Sequence, residues 1–152
     1  MAVASIAIDA QLLVLLVTGL AGRGYIAKHR RLSDYTAADF DTLSAIISQA
    51  GQIVVTPSVL AETSNLLRYI AEPARSEIMD EFRRLISDVE EQHIPAKDVA
   101  AGQSFSRFGF ADATLLTMTG STLLTADDPL YGEALRLGNR AENFNHLRGA
   151  RQ

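Results

Sequence analysis

Cysteine is absent from the chain. That excludes a disulfide framework, a thiolate zinc site, an iron–sulfur cluster and a cysteine nucleophile. Histidine is scarce, and His29, His93 and His146 are too scattered to suggest a His-rich zinc site. Positive charge is not in excess either: 14 Lys and Arg against 18 Asp and Glu give a formal net charge of −4. Contact with nucleic acid therefore requires a local basic patch, because the overall charge repels phosphate. No apolar run reaches the roughly 20 residues that cross a bilayer. The longest near the start is Gln11–Val17, and Asp9 ahead of it breaks the positive start that a signal peptide needs. What remains is an ordinary globular composition, 47% hydrophobic and 21% charged. Over 152 residues it predicts a cytoplasmic protein with a single domain, residues 1–152.

Short apolar runs alternate with longer amphipathic ones. Ala2–Ile8 reads as a buried strand, and Leu12–Val17 as a helix stopped by Gly19, Gly22 and Gly24. Thr36 and Asp39 form a capping box with Asp in place of Glu, opening a helix that buries Phe40, Leu43, Ile46 and Ile47 and ends at Gly51. Gln52–Thr56 predicts a second strand, and Pro57 opens a helix to about Ile70. Pro73 opens a long helix carrying the stripe Ile78, Met79, Phe82, Leu85, Ile86 and Val89. His93–Pro95 is expected as a short strand, Lys97–Gly102 as a helical turn and Phe110–Thr119 as a helix closed by Gly120. Ser121–Ala126 predicts a strand, Pro129–Leu137 a helix and Ala141–Leu147 a last strand. This alternation predicts an α/β/α sandwich around a mostly parallel sheet.

In open parallel sheets, ligands bind beyond the carboxyl ends of the strands. Acids stand at those places in four segments: Asp9 after the first strand, Glu62 in the second turn of the helix after the second, Asp112 in a first helical turn, and Asp127 with Asp128 after Leu123-Leu124. Like charges gathered in a cleft cost free energy unless a cation neutralises them, and an all-carboxylate set suits Mg²⁺ or Mn²⁺. Each acid also has a plainer role available. Asp112 suits a helix dipole, and one of Asp127 and Asp128 suits an N-cap. Glu62 shares a side with Ser58, Asn65 and Tyr69, a solvated face. Asp9, between two apolar runs, needs a buried partner.

Other motifs compete. Gly22-Arg23-Gly24-Tyr25-Ile26-Ala27 fits a dinucleotide-binding pattern, which counts only directly after a strand, whereas the run before it reads as a helix. A nucleophilic Asp-x-Asp motif fails at Gln11, and no strand-flanked G-x-S-x-G turn is present. Arg23, Lys28, Arg30 and Arg31, with Tyr25 and His29, form the densest basic cluster, a solvated loop or a substrate-binding surface of Lys28, Arg30 and Arg31. Arg83 and Arg84 balance acids on their own helix, and Asn143, Asn145 and His146 either line the site or satisfy a sheet edge.

Four segments together, Ile6-Ala7-Ile8-Asp9, Thr56-Pro57-Ser58-Val59-Leu60-Ala61-Glu62, Phe110-Ala111-Asp112-Ala113 and Leu124-Thr125-Ala126-Asp127, resemble the PIN-domain nuclease family in order and spacing across nearly the whole chain. The resemblance implies a PIN-like fold and an Mg²⁺- or Mn²⁺-dependent endoribonuclease. It implies that Asp9, Glu62, Asp112 and Asp127 are the metal-site and catalytic acids, with Thr125 and its neighbour Asp128 in support. It also implies a toxin of a toxin–antitoxin pair. The expected partners are RNA, a protein antitoxin or regulator and a second copy of the chain, with no membrane. Ala10 and Gln11 depart from the family, which usually has a small hydroxyl residue and often Asn there. That departure favours the alternative, a catalytically silent RNA- or protein-binding module.

Overall fold

A computed structural model describes residues 5–118 and 120–149. Five parallel strands form one sheet: β1 (Ser5–Ile8), β2 (Ile53–Val55), β3 (Glu90–Glu91), β4 (Ser121–Thr125) and β5 (Ala141–Asn143), in the order β3-β2-β1-β4-β5. Helices cover the sheet, giving the α/β sandwich that the strand–helix alternation predicts. The chain builds β1, β2 and β3 outward in one direction, then returns to place β4 and β5 on the other side of β1. The switch point lies between β1 and β4, where Ile8 pairs with Leu124. Open parallel sheets bind ligands at the carboxyl ends of such a pair.

Helix α1 (Ala10–Ala21) explains the long apolar run. Leu12 to Val17 are all buried, because the helix packs against α2 (Ala37–Gln49), α3 (Pro57–Leu67) and α4 (Ala74–Asp88) at once. A helix apolar on every side is an interior helix. Gly19 does not stop it. It lies inside α1, where a Cβ would meet the Phe40 ring of α2 at 2.1 Å, so its smallness sets how closely the two helices approach. The helix ends at Ala21, and Gly22 follows as its cap.

Capping fixes the other starts. Thr36 and Asp39 form the expected box: the Thr36 hydroxyl accepts from the Asp39 N–H at 3.3 Å, and the Asp39 carboxylate accepts from the Thr36 N–H at 2.9 Å. Thr56 caps α3 by accepting from the Val59 N–H, with Pro57 at the first position. Pro73 precedes α4, as the sequence suggests.

Several expectations need correction. Residues 93–95 are not a strand; the β3 pairing is made by Glu90 and Glu91 against Val54 and Val55, and Pro95 instead leads into α5 (Ala96–Ala100). The last strand stops at Asn143, and Phe144–Gly149 form helix α8, because the Asn143 side chain accepts from the Asn145 N–H and turns the chain. Helix α3 closes at Leu67 rather than Ile70. The sixth helix, α6 (Phe105–Thr117), begins before Phe110 and breaks at Gly109, whose φ of 81° is open to glycine at little cost. Helix α7 (Asp128–Arg136) follows β4. Ala2–Ala4 of the expected first strand and Thr119 of the expected helix lie outside the described residues. Among the described residues, no helix is long and apolar enough to cross a membrane.

Candidate functional site

The end of β1 meets the end of β4 through Asp9. Its N–H donates to the Leu124 carbonyl at 3.2 Å, which holds it in line with the sheet. As the N-cap of α1, it uses Oδ1 to accept from the Leu12 N–H at 3.0 Å. Its Oδ2 accepts from the Thr125 hydroxyl, which in turn accepts from the Asp127 N–H at 3.0 Å. Thr125 thus joins the two acids that follow neighbouring strands β1 and β4. Asp127 caps α7 by accepting from the Leu130 N–H at 3.0 Å.

Around this pair lies a cavity of about 400 Å³ at the switch point, lined among others by Asp9, Gln11, Tyr35, Glu62, Asp112 and Asp127. All four acids picked from the sequence reach it. Glu62 comes exposed from α3, and Asp112 comes half-buried from the first turn after the Gly109 break. Their fields overlap. Burial pushes the Asp112 carboxyl up to about 7, and the charges of Asp9, Glu62 and Asp127 add to it. Burial likewise pushes Asp9 up to about 6, against the hydrogen bonds from Thr125 and Leu12, with the Asp127 charge raising it further. Tyr35 is raised to about 12 by burial and by Asp9. This is the expected signature of carboxylates sharing a poorly solvated cleft.

The donor set fits a hard divalent cation in its chemistry: oxygen ligands only, from four segments, at the carboxyl edge of a parallel sheet. The side chains do not yet form a closed cage. Among the described residues, no three Asp, Glu, His or Cys side chains form a group that could hold a metal ion as they stand. Asp9 has a physical reason to stand back, since both its oxygens already accept hydrogen bonds from the protein.

Asp128 lies outside this cleft. Its carboxylate accepts from Asn143 at 2.8 Å and from Asn145 at 3.4 Å, which pulls its pKa down and ties β5 to the start of α7. Asn143 and Asn145 therefore satisfy the sheet edge, and His146 packs edge-on to Tyr131. Arg83 and Arg84 pair with Asp80 and Glu81 on their own helix.

The basic cluster divides. Arg23 pairs with Asp41 at 2.7 Å, Tyr25 donates to Glu77, and Lys28 lies exposed at the end of the 3-10 turn Arg23–Lys28. That turn follows α1 rather than a strand, so the glycine pattern is not a dinucleotide fingerprint. His29 is buried, with Nδ1 accepting from the Arg31 N–H, so Nε2 carries the proton and donates to the Leu67 carbonyl at 3.0 Å. Burial lowers its pKa, and it braces the loop against α3 as a neutral ring. Arg30 and Arg31 instead converge on Tyr69, their guanidinium carbons 5.6 and 4.5 Å from its ring centre. Arg68, which the sequence reading passed over, joins Arg30, Asn65 and Tyr69 around an open pocket of about 490 Å³. Gln11 connects the two regions, lining the acid cleft while its side-chain amide donates to the Arg31 carbonyl at 2.6 Å.

No family model matches the chain, and no curated protein matches it. A solved domain of a functionally unknown protein from Methanocaldococcus jannaschii DSM 2661 is similar at 20% identity, over 92% of this chain and 90% of that one, with a TM-score of 0.43.

Proposed function

We propose that the chain is a divalent-metal-dependent endoribonuclease, as its resemblance to PIN-domain nucleases implies. The observation that carries the reading is the convergence of Asp9, Glu62, Asp112 and Asp127 on one cavity at the switch point, where Asp112 and Asp9 are hard to ionise. Those four acids would hold Mg²⁺ or Mn²⁺, which supplies charge neutralisation and water activation for phosphodiester hydrolysis. The protein contributes the rest. Asp9 is oriented by two donors and held rigid between β1 and β4. Glu62 reaches the cavity from an exposed position on α3, and Asp112, whose carboxyl burial and its neighbouring acids push up to about 7, would have its ionisation favoured by the cation it helps to hold. Water is the nucleophile, one P–O bond breaks, and no covalent intermediate forms.

A second reading, an RNA-binding domain without catalysis, is favoured by one observation: no three of the acids are gathered into a metal-holding group. Incubating a mixed RNA pool with the parent chain and with Asp112→Asn, in Mn²⁺ and in chelator, separates the two. The nuclease reading expects cleavage in Mn²⁺ alone and none from the variant. RNA binding without cleavage selects the second reading, and neither binding nor cleavage removes both.

A further inference from the structure

Three arginines gathered without carboxylate partners pose the converse of the acid cleft. Arg30, Arg31 and Arg68 form no ion pair among the described residues. Glu72, which feels the charges of Arg75 and Arg68, gives its carboxylate oxygens to Ser76. Solvated arginines usually spread apart, whereas Arg30 and Arg31 are held in place. The Tyr69 ring carries two guanidinium groups, the Arg30 N–H donates to the Tyr69 carbonyl at 3.1 Å, and the His29 brace fixes the loop that bears Arg30 and Arg31. Positive charge fixed in advance around an open pocket lowers the ordering cost of binding an anion.

The position says which anion. Glu62 lines the acid cleft and Arg68 the basic pocket, both carried by α3 and the residue that caps it. Six residues at the helical rise separate them by about 9 Å along the axis. A stacked single strand carries one phosphate per roughly 3.4 Å of its axis, so one strand can present phosphates to both places. We propose that Arg30, Arg31 and Arg68, arranged around Tyr69, bind a phosphodiester of single-stranded RNA upstream or downstream of the one at the acid cleft. This rests on the nuclease reading for the location of the cut, but the binding itself does not require catalysis. Arg31 and Lys28 both lie outside the pocket lining; Arg31 joins the site through the Tyr69 ring, whereas Lys28 contributes only diffuse charge.

Fluorescence anisotropy of a labelled single-stranded RNA, titrated with the full chain in chelator over a range of salt, tests the site without cleavage. Arg68→Ala and the Arg30→Ala/Arg31→Ala pair should each weaken binding roughly five- to tenfold and flatten the salt slope by about 0.7 per lost phosphate contact. Tyr69→Ala should behave like them, while Tyr69→Phe, which keeps the ring, should match the parent. Arg83→Ala on α4 is the charge control and should change neither quantity. Unchanged affinity and slope in the arginine variants overturn the subsite, even if Asp112→Asn still abolishes cleavage. Arginine-dependent binding with no cleavage in Mn²⁺ keeps the subsite and removes the nuclease reading. No RNA binding by the parent chain overturns the subsite outright.

Discussion

Asp9→Asn separates a cation site from a purely structural acid. In the folded protein the Asp9 carboxyl has a pKa of about 6 against its ordinary 3.8. At 1.36 kcal/mol per pH unit, holding that charge above pH 6 destabilises the fold by about 3 kcal/mol. The folded state binds more protons than the unfolded one between about pH 4 and 6. Stability should therefore fall as pH rises through that window, and Asp112, at about 7, extends the fall upward. Asparagine keeps the cap, because its carbonyl oxygen can still accept from the Leu12 N–H, and Asn ranks with Asp at this position. It loses the Thr125 hydrogen bond to a carboxylate, which costs about 1 kcal/mol. The net expectation is a gain of about 2 kcal/mol at pH 8, or roughly 4–8 °C in Tm, shrinking to zero or below near pH 4. Thermal melts of both proteins at the two pH values, in chelator, give the comparison. Added Mn²⁺ should then raise the parent's Tm by mass action and leave the variant unmoved. An Asn variant that melts lower at pH 8, with Mn²⁺ affecting neither protein, would refute the reasoning: Asp9 would then be a satisfied structural charge.

Two further perturbations address the fold. Gly19→Ala drives a methyl group into the Phe40 ring, where the closest approach is 2.1 Å, and should cost about 1–3 kcal/mol in urea unfolding with an unchanged m-value. Glu133→Gln loosens the seam between α6 and α7, where Glu133 accepts from Ser104 at 2.6 Å and from Arg136 at 2.7 Å. Those partners hold its pKa down at about 2, so its stabilisation is present above pH 4.5 and fades as pH falls toward 2. The variant should melt below the parent at pH 7 and converge with it in acid.

What the sequence discloses depends on whether a residue's partner is local. Caps are local, so Thr36 with Asp39 and Thr56 with Pro57 are readable and recur in the structure. Asp9 is readable as a buried acid in need of a partner, and the partner is Thr125, across the β1–β4 pairing. Strand β3 is not readable, because its two residues are exposed glutamates at a sheet edge and are held only by backbone pairing to Val54 and Val55. Apolar alternation carries no trace of such a strand. Helix α8 is missed for another reason: two apolar residues, Phe144 and Leu147, are too few to fix a period, and the Asn143 turn that opens the helix depends on a side chain. Arg68 looks like any charge on a solvated helix face until the loop bearing Arg30 folds back beside it. Its only sequence trace is the polar stripe of Glu62, Asn65 and Tyr69.

The departure at Ala10 and Gln11 takes on a different meaning once the hydrogen bonds are traced. A hydroxyl residue after Asp9 would be one way to orient that carboxylate, yet both Asp9 oxygens are already supplied, one by the Leu12 N–H and the other by Thr125. Gln11 is therefore free for another task. Its amide holds the Arg31 carbonyl at 2.6 Å, anchoring the arginine-bearing loop one residue away from the buried helix start. The same short segment thus fixes an acid on one side and a basic loop on the other. In a chain of net charge −4, that connects a cleft crowded with carboxylates to a local patch of arginines. Neither cluster is favourable alone, since each concentrates one sign of charge. On the nuclease reading proposed above, a cation among the carboxylates and a phosphate among the arginines would relieve the two repulsions separately.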